Sequence, residues 1–160
     1  MSIKVGDKLP NATLKVASAD GIKDATTDEL FKGRKVVLFA VPGAFTPTCS
    51  AKHLPGFVQN ADAIRGKGVD AIVCLAVNDA FVMGAWGKDQ KVGDKIMMLG
   101  DGNAEFANAM GLTLDASRNG LGTRSQRYAM IVQDGTIKDL FVEKPGAFEA
   151  STAENVLRHL

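Results

Sequence analysis

The stretch from Val36 to Phe57, VVLFAVPGAFTPTCSAKHLPGF, constrains the fold more than any other part of the chain. Val36 to Val41 is an unbroken apolar run, rich in β-branched and aromatic residues and bounded by Pro42-Gly43, which predicts a buried strand. Thr46-Pro47 then starts a helix, with a side-chain oxygen at the N-cap and a proline at the first helical position, where its missing N–H costs nothing. Counting on from that cap puts Cys49 at the third helical position, beside the unpaired N–H groups of the first turn and the positive end of the helix dipole. Both favour a thiolate over a thiol. Free cysteine commonly packs as a small hydrophobe. Here the strand, the Pro-Gly break and the capped helix place the sulfur at the carboxyl end of a strand, where α/β proteins bind their ligands.

The segment VPGAFTPTCS closely resembles the active-site motif of the peroxiredoxins, Pro-x-x-x-Thr-x-x-Cys, which stands here as Pro42, Thr46 and Cys49. The continuation His53-Leu54-Pro55-Gly56-Phe57, the later VNDAFVMGAW and the stretch RYAMIVQDG resemble the type II subgroup, which includes atypical two-cysteine and plant-type members. The likeness runs from IKVGD near the start to the last helix. It implies a thioredoxin-like fold, with a mixed central sheet flanked by helices and an amino-terminal extension. It also implies a thiol peroxidase that serves as an antioxidant in cell redox homeostasis.

Composition agrees with a compact enzyme. With 160 residues, 46% of them hydrophobic and 23% charged, residues 1–160 are expected to form one domain with a real core. The formal net charge is +1 and no basic run of five or more residues occurs, so neither nucleic acid nor an anionic membrane is expected as a partner. The start, MSIKVGDKLP, carries no apolar segment suited to a signal peptide or membrane span, and the expected location is cytoplasmic. Two cysteines without a signal sequence argue against a disulfide framework. His53 and His159 share no ligand spacing with the cysteines, so neither a metal nor any other cofactor is expected.

Taken in order, Ala12 to Val16 reads as a short strand and Ala19-Asp20-Gly21 as a turn. Residues 22 to 33 hold an extended piece and one helical turn at Asp28 to Phe31, closed by Gly33. Leu54, Phe57, Val58, Ala61 and Ile64 recur at helical spacing, so the Cys49 helix should run to about Arg65 before Gly66 and Gly68 end it. Pro55 interrupts it, which predicts a kink beyond the first turn. Val69 to Val77 is the neighbouring strand, with Cys74 inside it. Asn78-Asp79 caps a helix on which Phe81, Val82, Ala85 and Trp86 are expected to share one face. A strand at Lys95 to Leu99 and a helix from Asn103 to Met110 follow, then a polar loop from Asp115 to Gly122. Gln126 to Gln133 and Thr136 to Val142 form a hairpin through Asp134-Gly135, and Ser151 with Glu154 reads as a capping box for the final helix.

The implied chemistry is attack by the Cys49 thiolate on a peroxide oxygen, giving a sulfenic acid. The Thr46 hydroxyl is expected to bond the Cys49 backbone N–H or a peroxide oxygen, and Pro42 to shape and dry the pocket. The resemblance assigns the fixed positive charge to Arg127. The residues alone leave Arg118 and Arg124 open as well. His53, one turn beyond Cys49, raises a rival reading as the general base of a thiol hydrolase, for which no Gly-rich oxyanion loop is evident. Otherwise it and Phe45 line the pocket mouth. A redox sensor or chaperone relaying Cys49 oxidation to partners is the non-enzyme alternative.

The family's habits imply hydroperoxide substrates, with glutathione, glutaredoxin or thioredoxin as reductant. They also imply a homodimer, with Phe45, Phe81 and Trp86 in segments that could face the partner or as easily pack in the core. Some type II members resolve the sulfenic acid with a carboxyl-terminal cysteine, and Glu143 to Leu160 holds none. Plant-type members carry a second cysteine at a place comparable to Cys74. A disulfide needs Cα atoms within about 7 Å, however, and a sulfur in a helix first turn would meet one inside a packed strand only if the helix start unwinds. Cys74 is therefore expected to pack, with a mechanism that behaves as one-cysteine.

Overall fold

The computed structural model describes residues 2–160. The described chain runs β1 (Thr13–Ser18), β2 (Gly21–Thr26), α1 (Thr27–Phe31), β3 (Lys35–Val41), a π turn (Cys49–His53), α2 (Leu54–Arg65), β4 (Ala71–Ala76) and α3 (Ala80–Asp89). It continues through β5 (Met97–Gly100), α4 (Glu105–Met110), β6 (Thr113–Asp115), a short 3₁₀ turn (Ser117–Asn119), β7 (Thr123–Ser125), β8 (Tyr128–Gln133), β9 (Thr136–Val142) and α5 (Ala153–Arg158). Seven strands form one mixed sheet in the order β2-β1-β5-β4-β3-β8-β9, and β6 pairs with β7 apart from it. The expected mixed α/β arrangement is the one observed.

Strand β3 lies near the middle of the sheet, parallel to β4 and antiparallel to β8. Its residues Val36 to Val41 are all fully buried. Because strand side chains alternate between faces, β3 feeds two separate cores. Val37, Phe39 and Val41 pack with Leu54, Phe57, Ala61 and Ile64 of α2, Trp86 of α3 and Val156 of α5. Val36, Leu38 and Ala40 pack on the other side with Phe31 of α1 and Phe106 and Met110 of α4. Each large aliphatic side chain so buried contributes roughly 1.5–3 kcal/mol. The three-layer sandwich therefore fixes the carboxyl end of β3, from which the Cys49 segment leaves.

Several local expectations need correction. On α3 the buried residues are Ala80, Met83, Trp86 and Gly87, whereas Phe81 is 77% exposed and Ala85 is also exposed. Spacing alone had grouped 81, 82, 85 and 86, but the Gly84 and Gly87 backbone packs against Ala17 and Met98 and turns the helix away from that face. The final helix is capped by Thr152, whose side chain accepts from the Asn155 N–H. Ser151 is instead buried and bonded to Glu143, and Glu154 accepts from Asn60. The hairpin turn is as expected, with Asp134 and Gly135 both at positive φ (51° and 76°), the type I′ geometry that follows strand twist. The Asn103–Met110 helix begins two residues late, at Glu105, and the Asp115–Gly122 loop is clasped at its ends by β6 and β7.

Two glycines separate packing from backbone freedom. A Cβ on Gly100 would lie 2.8 Å from both the Asn78 carbonyl oxygen and the Ala80 nitrogen, backbone atoms that cannot step aside. A Cβ on Gly56, inside α2, would meet nothing within 4 Å. We expect Gly100→Ala to lower the urea midpoint by an amount equivalent to about 1–3 kcal/mol. Gly56→Ala should raise it by about 0.4–1 kcal/mol. Equal effects of the two substitutions would contradict this packing account.

Candidate active site

The loop from β3 to the helix start is held by side chains from elsewhere. The Ala44 N–H donates to Asn78 Oδ1 at 2.9 Å, and Arg124 Nη1 donates to the Pro42 carbonyl at 3.4 Å. The same Nη1 would sit 2.8 Å from a Cβ on Gly43, so that glycine leaves room for Arg124. Trp86 Nε1 donates to Ser50 Oγ at 3.0 Å, tying the first turn to α3. Phe45 takes a left-handed backbone (φ 65°), which is strained for an aromatic residue, and its side chain is 53% exposed against Trp86.

Helix begins at Pro47, as the Thr46-Pro47 pair predicts, and the Thr46 carbonyl accepts from the Ser50 N–H at 2.9 Å. Of the two bonds expected of the Thr46 hydroxyl, the one to the Cys49 N–H is replaced. Instead of capping the Cys49 N–H, the hydroxyl donates to the Gly43 carbonyl at 2.6 Å. The kink expected at Pro55 is a widened π turn over Cys49–His53, closed by the Leu54 N–H on the Cys49 carbonyl. Pro55 has no N–H for the carbonyl four residues back, and the chain absorbs that loss by lengthening the turn ahead of it.

Cys49 is fully buried. Arg127 Nη2 donates to its Sγ at 3.1 Å, and Arg127 Nη1 contacts His53 Nδ1 at 2.8 Å. The guanidinium also lies 5.8 Å from the centroid of the Phe148 ring. Arginine can only donate, so Nδ1 of His53 is the acceptor and its proton is on Nε2, which donates to the Ser151 carbonyl at 3.0 Å. His53 therefore faces the sulfur only through Arg127. It is 1% exposed, inside a box of Phe39, Phe57 and Phe148, rather than at a pocket mouth, and it is not placed as a base for Cys49. Burial first, then the Arg127 charge, depress the His53 imidazole to about 3, against the opposing pull of the Ser151 carbonyl and Glu143. The ring is neutral at physiological pH.

Behind Ser151 stands Glu143, a buried carboxylate. Its Oε2 accepts from the Ser151 N–H at 2.7 Å, the Ser151 hydroxyl at 2.7 Å and the Glu149 N–H at 2.9 Å. Burial pushes its carboxyl up, but the bonds from the Ser151 side chain and the backbone N–H groups outweigh that, and its pKa is lowered overall.

A cavity of about 340 Å³ opens above the guanidinium, lined by Pro42, Thr48, Leu114, Gln126, Arg127 and the segment from Glu143 to Ala147. Of the residues expected at the site, Pro42 and Arg127 line this cavity, while Thr46, Phe45, His53 and the buried Cys49 do not, so the sulfur is reached from it through the guanidinium side. Cys74, in the middle of β4, pairs with Phe39 of β3 and Met98 of β5 and belongs to the core that contains Cys49. Burial, with the nearby Cys49 sulfur adding to it, pushes the Cys74 thiol well up, against the opposing pull of Arg127.

A guanidinium-bound sulfur at the end of a central strand can be compared with known sites. The redoxin family model matches residues 4–157. The chain is 52% identical over 163 residues to Peroxiredoxin-2E, chloroplastic, of Arabidopsis thaliana, covering 99% of this chain and 70% of that one. It superposes on reduced Prx3 of Vibrio vulnificus, solved in complex with H2O2, with a TM-score of 0.94 at 52% identity over 98% of each chain. A 1-Cys peroxiredoxin, the Plasmodium falciparum antioxidant protein, matches with a TM-score of 0.93 at 31% identity over 98% of each chain. The chain is a type II peroxiredoxin of the redoxin family. Like its relatives, this peroxiredoxin has a thioredoxin-like fold and is a thiol-dependent peroxidase, an oxidoreductase that consumes hydroperoxides at the expense of a thiol reductant.

Sequence reading missed Asn78, Trp86 and Arg124 as supports of the loop, Phe148 as the cover over Arg127, and Ser151 with Glu143 as the group behind His53. Only proximity in the fold reveals them. Arg124 alone carried a signal, as one of the arginines the residues left open. Protonation of His53 supplies the testable consequence. Between about pH 3 and its unfolded pKa of about 6.5 the unfolded chain binds one proton more than the native one, so stability falls as pH falls through that window. Denaturant unfolding of the wild type should lose about 2 kcal/mol more than His53→Gln on going from about pH 7.5 to about pH 5. Parallel pH profiles would overturn the assignment of a buried neutral imidazole.

Proposed function

We propose that this peroxiredoxin reduces hydrogen peroxide and organic hydroperoxides at Cys49 and is recycled as a one-cysteine enzyme by glutathione together with glutaredoxin. The observation that carries the first half is the Arg127 Nη2 contact with Cys49 Sγ at 3.1 Å. A fixed cation there favours an anionic sulfur and faces the oxygen on which charge develops. The sulfur lone pair attacks the near peroxide oxygen, the O–O bond breaks, and the departing oxygen takes a proton and leaves as water or an alcohol. Sulfur is oxidised by two electrons to the sulfenic acid, and the peroxide is reduced by two. Thr46 has its only hydroxyl proton committed to the Gly43 carbonyl, so it offers the peroxide lone pairs and accepts the substrate O–H. Pro42 walls the pocket. Hydrogen peroxide fills a small part of a cavity of about 340 Å³, and the apolar lining from Pro42, Leu114 and Pro145 suits the alkyl group of a larger hydroperoxide.

The second half rests on Cys74. The thiolate is the resolving nucleophile, and a thiol held protonated inside a central strand is a poor one. Glutathione thiolate instead attacks the sulfenic sulfur, expelling its oxygen as water and leaving a Cys49–glutathione disulfide. Glutaredoxin, or a second glutathione, then attacks the glutathione sulfur and releases Cys49 as thiolate. The exposed Phe45 and Phe81 further support a second copy of this chain as a partner.

Cys49→Ser should abolish peroxide turnover, whereas Cys74→Ser should keep turnover with glutathione and glutaredoxin within about twofold of wild type. If Cys74→Ser falls to the level of Cys49→Ser, Cys74 is the resolving residue. Faster turnover with thioredoxin than with glutaredoxin would replace the reductant in this reading. For the partner, Phe81→Glu should give a single monomeric species in sedimentation velocity where wild type is dimeric. A wild-type monomer would end that part of the proposal.

A further inference from the structure

Resting on that reading of Cys49 and Arg127, we propose that Glu143 is a positioning residue for the peroxidase reaction, setting the Arg127 guanidinium through Ser151 and His53. The first observation is one of connectivity. An unbroken chain of contacts runs from Glu143 Oε2 to the Ser151 N–H and hydroxyl, from the Ser151 carbonyl to His53 Nε2, from His53 Nδ1 to Arg127 Nη1, and from Arg127 Nη2 to Cys49 Sγ. Every member is buried except Arg127, which is half-buried and lines the cavity.

The second observation concerns charge. A carboxylate bonded directly to Arg127 would orient it but would also neutralise much of the charge the sulfur and the departing oxygen need. Among the described residues Arg127 makes no ion pair with an acid, and its second nitrogen is held by a neutral imidazole. The carboxylate acts at one remove. By fixing Ser151 with both its N–H and its hydroxyl, Glu143 aims the Ser151 carbonyl at Nε2, and that carbonyl keeps the His53 proton on Nε2. Nδ1 is thereby left as a lone pair for Arg127. The arrangement orients the guanidinium while leaving its charge unpaired.

The third observation is economy of structure. Glu143 directly follows β9, and the residues after it, including Pro145 and Ala147, wall the cavity while Phe148 covers His53 and Arg127. The Glu143 carboxylate, at the start of this segment, pins its far end through the Glu149 and Ser151 N–H groups. Losing it should loosen the guanidinium rather than remove it.

The test uses Trp86, the single tryptophan, bonded to Ser50 next to Cys49, as a stopped-flow fluorescence reporter of Cys49 oxidation by hydrogen peroxide. Glu143→Ala should slow the second-order oxidation by about ten- to a hundredfold, the scale expected when a catalytic group is misplaced by about an ångström. Glu143→Gln, which keeps the shape and an acceptor oxygen and guards against a folding defect, should recover much of that loss. In an Arg127→Gln background, Glu143→Ala should slow oxidation by less than about twofold, because its effect passes through a group no longer there. A merely structural role would be additive, with the same fold-loss in both backgrounds, and that result overturns the proposal. So does an unchanged rate in Glu143→Ala. The two readings fail separately: Arg127→Gln oxidising at the wild-type rate would remove the role of Arg127 itself and this inference with it. Slow oxidation in Arg127→Gln with a wild-type rate in Glu143→Ala would remove only the inference.

Discussion

The contact between the Arg127 guanidinium and the Cys49 sulfur is the interaction to which the rest of the structure is subordinate. It joins a residue just ahead of β8 to one just beyond β3, and strand register makes that meeting possible. Tyr128 lies opposite Ala40 across the β3–β8 ladder, and both side chains enter the core of α1 and α4. Strand alternation therefore sends Arg127 toward the opposite face, where Phe39, Val41 and Cys49 lie. A register slip of one residue would send Tyr128 to the sulfur and Arg127 to the far core. The two hydrophobic layers prevent that slip, since each would have to give up a full set of buried side chains.

That same dependence explains what was legible in the sequence. The run from Val36 to Val41, the Pro-Gly break and the Thr46-Pro47 helix start are local signals, and each produced the local structure it predicts. The Asp134-Gly135 turn was similarly legible, because positive φ at both positions is a property of those two residues and their immediate neighbours. Arg127 is a different matter. Nothing in the residues around it separates it from Arg118 and Arg124, and only resemblance to the family singled it out. In the fold Arg124 turns to the Leu121 and Pro42 carbonyls and supports the loop from outside.

Where the reading departed from the structure, a long-range partner had displaced a local one. Thr46 had a first-turn N–H within reach but bonds the Gly43 carbonyl, since the loop must fold back on itself to deliver Cys49. Ser151 had the spacing of a cap but was taken by a carboxylate eight residues earlier, and Thr152 took over as cap. His53 had the spacing of a base for Cys49, yet the π turn and the aromatic box of Phe39, Phe57 and Phe148 face it to Arg127. Periodicity cannot anticipate such substitutions, because it knows only the neighbours along one element.

The two partners of the central contact are held with unequal firmness. Arg127 adjoins a strand whose ladder runs from Tyr128 to Gln133 on both sides, and its own carbonyl accepts from the Glu143 N–H at 2.9 Å. Cys49 stands in a π turn, with a bonding pattern less favourable than that of an α-helix, just ahead of a proline that cannot close the next turn. Segments with such incomplete backbone pairing open at lower free energy than central strands do. The turn's side-chain ties to the rest are the Cys49 and His53 bonds to Arg127, the His53 bond to Ser151 and the Ser50 bond to Trp86, so its opening would release the sulfur and the guanidinium's two partners while leaving the β3–β8 ladder in place. A buried sulfur that must meet first a small peroxide and then a bulkier thiol needs a rigid charge and a yielding nucleophile, and the fold assigns rigidity to the strand side and compliance to the turn.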